Sequence, residues 1–262
     1  MTSTRLWDRA GALPVPAADG RRRAELPALP LEDLPSVAEL FTFMRDAESR
    51  FATLRLRIEE RTAAAGGETR SAMDLILRHP GQAKVTTTEP DAGLAGPYEI
   101  WISDGETVRT YASAHRLGTS RPVRRRVVGL GDPDLPPSSR VYVPVTSLPM
   151  ETLVETFVHP AGFSQNVLST GACEVIGTDV VAGREALLLV CDRPRATELP
   201  GERPDYRVDL AVDRDTGVIV RLVESVADHV SRFAEVTVLQ PDAALPPSAF
   251  DFEFPEGTTF IY

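Results

Sequence analysis

A chain of 262 residues with 42% apolar and 25% charged side chains can bury a core of its own, which excludes wholesale disorder. Its formal net charge of −10 argues against nucleic acid as the main partner, because neutralising phosphates needs a basic face. Two cysteines, with no CxxC and no Cys/His cluster, exclude a structural zinc site, and no metal or cofactor is expected.

Residues 1–35 read as an irregular arm, because Pro14, Pro16, Pro27, Pro30 and Pro35 forbid long regular structure. No apolar run approaches the length of a membrane span. Met1 to Gly20 holds no continuous apolar stretch of the export type, and Arg21-Arg22-Arg23 is followed by Glu25, Pro27 and Pro30. As written, the chain is expected in the cytosol, with no transmembrane segment and at most peripheral membrane contact.

The clearest helix follows. Ser36 and Glu39 form a Ser-x-x-Glu capping box before an apolar stripe of Val37, Leu40, Phe41, Met44, Ala47, Phe51 and Leu54. Glu39, Arg45, Asp46, Glu48 and Arg50 fall on its solvent side. Near Ala52 the period drifts to two, so Leu54, Leu56 and Ile58 begin a strand, with a turn at Ala65-Gly66-Gly67.

A series of short alternating strands is then predicted: 73–78, 84–88, 98–103 and 107–111, the last two joined by Asp104-Gly105. Weaker strands are expected at 124–128 and 141–145. Ser147 is expected to cap a second helix with Pro149 in its first turn and Leu153, Val154, Phe157 and Val158 on its apolar side; His159-Pro160 ends it. A further turn of helix is read around 163–168. Strands return at 172–176, 186–190, 206–212, 218–224 and 233–239, and the tail puts Phe250, Phe252 and Phe254 on one face. Tight turns between consecutive strands mean antiparallel pairing, and two helices are too few for βαβ winding.

Four stretches resemble the pattern of LolA-like domains, the group that includes the RseB (MucB) N-terminal domain and the LppX/LprG lipid carriers. They are Leu75 to Gly81; Ile102 to Val108; Val175 to Asp179 with Gly183 to Ala186; and Val212 to Gly217 with Leu245-Pro246 and Phe254 to Thr258. The resemblance covers about residues 36–262. It implies an α+β fold in that single domain: one curved antiparallel β-sheet, a half-open barrel, with the N-terminal amphipathic helix and a mid-chain helical lid on its concave face. It also implies a non-catalytic carrier or sensor of an acyl chain, lipid or lipoprotein. The alternative is an RseB-like regulator that binds a protein of a sigma/anti-sigma pathway and holds no small ligand. Members of this group are normally exported, and the first residues here depart from that.

Candidate cavity-lining residues are Phe41, Met44, Leu77, Trp101, Tyr111, Leu187, Leu189 and Phe233; each also fits a plain core. Arg121 and Arg124 to Arg126 form the densest basic cluster, suited to a lipid phosphate or to a solvated edge in an arginine-rich chain. Asp213, Asp215 and Glu224 miss the glycine and spacing of a calcium loop, so a hairpin turn explains them better. Gly162 to Asn166 lacks the last glycine of a nucleophile elbow. His79, His115, His159 and His229 are scattered and read as surface or loop residues. Cys173 and Cys191 lie symmetrically about Ala182 and would face each other if the strands pair in that register, which allows a disulfide; a one-residue slip separates them.

Overall fold

The computed structural model describes residues 29, 33–64, 67–93, 96–123, 144–195 and 205–261. Most of the expected arm therefore lies outside the described residues, as do the strand expected at 124–128, Arg124 to Arg126, and most of the strand expected at 141–145.

Helix α1, Val37–Arg45, starts where the sequence places it. The Ser36 hydroxyl accepts from the Glu39 amide at 3.3 Å, and the Glu39 carboxylate accepts from the Ser36 amide at 2.8 Å. The helix stops at Arg45, well short of Leu54, and a 3-10 turn, Ala47–Arg50, follows it. That break rotates the phase of the chain. Glu48 and Arg50, expected on the solvent side, become buried at 4% and 7% exposure.

Among the described residues, twelve strands form one sheet: β1 Thr53–Ala64, β2 Gly67–Arg78, β3 Gln82–Thr88, β4 Tyr98–Asp104, β5 Thr107–Ala112, β6 Leu117–Pro122, β7 Ala172–Val181, β8 Arg184–Asp192, β9 Tyr206–Asp213, β10 Ile219–Val226, β11 His229–Pro241 and β12 Thr259–Phe260. Their spatial order is β12-β6-β5-β4-β3-β2-β1-β11-β10-β9-β8-β7. Two antiparallel meanders thus run outward from a central β1–β11 pair, and only β12 pairs in parallel, with β6. The sheet is open between β12 and β7, so this is an α+β half-open barrel. Arg221 on β10 donates to Asp179 on β7 at 2.7 Å, although flat strands would separate their backbones by about 14 Å. Side-chain reach and curl together close that gap.

Several turns follow from local chemistry. The Asp104 carboxylate accepts from the Glu106 and Thr107 amides and fixes the β4–β5 hairpin. Asp213, 1% exposed, accepts from the Thr216 amide and hydroxyl and from Arg184, which makes 213–217 a hairpin turn as expected. The β7–β8 turn is tighter than the predicted 177–183. Ala182 and Gly183, both at positive φ, make it alone, while Gly177 sits at a β-bulge beside Ile176. Strand β6 was not expected, because Leu-Gly-Thr-Ser-Arg-Pro shows no apolar alternation.

Helices α2, Leu153–Val158, and α3, Pro160–Asn166, lie between the meanders. Thr152, rather than Ser147, caps α2, its hydroxyl accepting from the Glu155 amide. Leu40 and Met44 of α1 and Val154 and Phe157 of α2 share one core with Leu56, Leu75, Leu187 and Leu210 of the sheet. Both helical segments therefore cover the same face. Each such fully buried side chain contributes about 1.5–3 kcal/mol.

The opposite face has its own apolar layer over β4–β6. The tail from Pro241 crosses it and brings Phe252 and Phe254 within 6.4 and 6.5 Å of Tyr111. Gly118 leaves the room that Phe254 fills, since a Cβ there would lie 2.7 Å from the Phe254 ring. The three phenylalanines of the tail do pack inward, but as an overlying segment and not as a strand: Phe250 is in a 3-10 turn beneath Arg78.

Candidate functional site

Strand register decides which side chains can meet a ligand beneath the helices. Leu54, Leu56 and Ile58 face the helices, and pairing carries that face through Leu77 and Leu75 to Ala83 and Val85, and from Val85 to Trp101. It continues on the other side through Leu239, Val236 and Ala234 to Leu222, Leu210, Leu187 and Leu189. Met44, Leu77, Leu187 and Leu189 are at most 1% exposed and sit inside the continuous core. Phe41 and Trp101 are half-buried and pack at its margin.

Two expected liners lie elsewhere. Tyr111 pairs with Ile100 and shares the opposite face with the tail phenylalanines, because alternation sends it away from Trp101. Phe233 pairs with Arg61 and stacks under its guanidinium, 4.7 Å from ring centre to carbon, on the same outer face. Their neighbours Thr110 and Ala234 are the residues that face the helices.

Beyond the ends of the helices the inner face turns polar. Arg232 donates to Glu60 at 2.7 Å, Ser71 donates to the same carboxylate at 2.9 Å, and the Tyr206 hydroxyl donates to Glu224 at 2.8 Å. Glu60 and Arg232 are only 15% and 25% exposed, so this pair is screened little by water. A cleft of about 460 Å³ opens near the β7 edge, lined by Ala172, Asp192, Arg193, Asp205, Tyr206, Arg207, Ser225 and Asp228. Its charges are mixed, and Arg207 is already bonded to Asp209 at 2.8 Å.

A second polar group lies under the base of the helices. Thr146, fully buried, accepts from the Gly81 amide at 2.8 Å and shares a 2.7 Å hydrogen bond with Nδ1 of His79. Nε2 of His159 donates to the Thr146 carbonyl, 2.9 Å away, while the Val145 amide donates to Glu48 at 2.9 Å. Nδ1 of His159 is 3.4 Å from Glu48. Burial pushes His79 down to about 4; burial, aided by the nearby His79, pushes His159 down to about 4. Both were expected at the surface. No sequence signal joins residues 48, 79, 146 and 159, since only the fold brings them together.

Cys173 and Cys191 are directly opposed on β7 and β8, Cα atoms 4.1 Å apart, and form a disulfide. Among the described residues, no group of three or more His, Cys, Asp or Glu could hold a metal ion. None of the described helices is long and apolar enough to cross a membrane.

No protein-family model matches the chain, and no curated protein matches it. Among solved structures it is similar to MucB, at 14% identity over 82% of this chain and 62% of that one, with a TM-score of 0.48. It is similar to a chain of the MucA/MucB complex of Pseudomonas aeruginosa, at 17% identity over 82% and 60%, with a TM-score of 0.46. It is also similar to the Mycobacterium tuberculosis lipoprotein LppX, at 13% identity over 78% and 95%, with a TM-score of 0.40. The chain spans about three-fifths of the length of those MucB chains. MucB and LppX are of the group that the sequence motifs resemble. The fold class itself stands on the strand order and register.

Proposed function

We propose that this chain is a non-catalytic binding protein that holds an amphiphile, such as a fatty acid, a lipid or an acylated peptide, against the helix-covered face of its sheet. The observation that carries this reading is the division of that face. Its base is apolar and filled by helices; its margin offers half-buried Phe41 and Trp101; its far end carries the Glu60–Arg232 and Tyr206–Glu224 pairs. An apolar chain suits the first two regions, and a polar head suits the third. Met44, Leu77, Leu187 and Leu189 form the floor of the site in this reading, while Tyr111 and Phe233 take no part.

The Cys173–Cys191 disulfide supports work in an oxidising compartment, in place of the cytosolic location expected from the first residues. Native mass spectrometry of the purified chain, with and without added long-chain fatty acid, phospholipid and acylated peptide, tests the reading. One of these is expected to remain bound, with weaker retention in Trp101→Ala. A chain that holds none of them, yet captures a partner protein, would turn the assignment to the regulator alternative.

A further inference from the structure

The segment Pro144–Leu148 links the β6 side of the sheet to α2, and the cluster around Thr146 is what ties it down. Four bonds converge on Val145 and Thr146: from Gly81 and His79 in the β2–β3 turn, from Glu48 in the 3-10 turn, and from His159 at the end of α2. Each side chain involved is less than 9% exposed. At the far end of the helical segment, after α3, the Cys173–Cys191 disulfide ties the start of β7 to β8. The helices are thus held covalently at one end and by a hydrogen-bonded cluster at the other.

We propose that the Glu48–His79–Thr146–His159 cluster is an acid-operated latch, whose protonation releases Pro144–Leu148 and lets α2 and α3 swing from the sheet about the disulfide-bound end. The geometry gives the reason. The Thr146 hydroxyl already accepts from the Gly81 amide, so its own proton is free to point at Nδ1 of His79. A proton on that nitrogen would meet the hydroxyl proton head-on, or turn it away from the bond it now makes. Below it the Phe51 ring stacks on His79 at 5.4 Å between centres and offers no counter-charge.

Among the described residues, the charged or titratable groups facing the cluster are Glu48 and Arg50 from the 3-10 turn, His79 from the β2–β3 turn and His159 from α2. Asp46 acts on Arg50, and Asp242 holds the Ala52 amide of the adjoining chain. Glu48 accepts from the Val145 amide and lies 3.4 Å from Nδ1 of His159, so it offers that ring a counter-charge, and the release falls on His79. Release exposes both rings to water, where they ionise freely. Depressed histidines inside the closed cluster are the thermodynamic counterpart of that preference.

Hydrogen exchange of the full chain, read by mass spectrometry at pH 7.5 and 5.0 and scaled for intrinsic rates, tests the latch. Peptides covering 144–158 should lose at least about 30-fold in protection at pH 5.0 for one histidine freed, and at both pH values should be less protected than those covering 206–226, whose exchange reports opening of the sheet itself. The double variant His79→Asn, His159→Gln, which keeps the bonds to Thr146, should show no such pH dependence. Unchanged protection of 144–158 in the parent chain, or protection of 144–158 equal to that of 206–226 at both pH values, overturns the latch. That the opened face admits an amphiphile rests on the function proposed above. Faster uptake of a fluorescent long-chain fatty acid at pH 5.0 would support both. Opening without any uptake at either pH leaves the latch standing and overturns the carrier reading; uptake without opening does the reverse.

Discussion

His79 should make global stability depend on pH in a window where few other groups titrate. Its ring is 8% exposed, and its pKa falls from 6.5 in the unfolded chain to about 4 when folded. The unfolded chain therefore takes up the proton first. The contribution is fully present above pH 6.5, declines as pH falls toward 4, and then levels off. Between pH 7.5 and 5.0 the loss is about 2 kcal/mol for this one group. His159 shifts in the same direction, also by burial, against hydrogen bonds to the Thr146 and Val158 backbone and with His79 adding to the shift, so His79 gives the cleaner test. Glu39, Asp104 and Asp179 are held below the ordinary carboxylate range, so their losses fall at lower pH. Urea denaturation at constant ionic strength, at pH 7.5 and 5.0, reads the difference. His79→Asn should lose about 2 kcal/mol less than the parent chain over this interval. If both proteins lose the same amount, burial of His79 is not what sets the dependence.

Asp213→Ala should cost about 3 kcal/mol, because it leaves Arg184 with Asp215 alone and opens the Thr216 turn; Asp213→Asn, which can still accept from Thr216, should cost less, both by chemical denaturation. Purified under non-reducing conditions, the chain should show no reactive thiol at Cys173 or Cys191, and replacing both by serine should lower stability by about 3 kcal/mol for a separation of 18 residues. Gly118→Ala should cost about 1–3 kcal/mol in thermal or chemical melts, since the added carbon meets the Phe254 ring and Thr258; a variant as stable as the parent would show that the tail yields easily.

Much of the architecture is legible in the sequence because its signals are local. The Ser36–Glu39 box, the Asp104-Gly105 hairpin and the alternation of Leu54, Leu56 and Ile58 each need only a few neighbouring residues. Which set of an alternating strand faces the helices is a different matter. In β4, Ile100 and Ile102 alternate with Trp101, and both sets find apolar cover, one under the tail and one beside the helices. A strand covered on both sides carries no sequence mark of which side is inner, which is why Tyr111 and Phe233 were placed on the wrong face. The helical phase that would send Glu48 to solvent ends with α1 at Arg45, and the 3-10 turn that follows turns it inward. The Thr146 cluster needed four segments to be assembled before it existed at all.

The central position of β1 has a consequence for how the chain is made. Its two neighbours are β2, which emerges directly behind it, and β11, which begins at His229. During synthesis the β1–β2 hairpin must wait, with one flank unoccupied, until the chain has been made beyond His229. Contacts of such sequence separation close slowly. The outward residues of β1 include Arg55, Arg57 and Glu59, charges that discourage a waiting strand from pairing with its counterpart on another nascent chain. The last-made of the sheet's long strands is thus the one that joins its two halves.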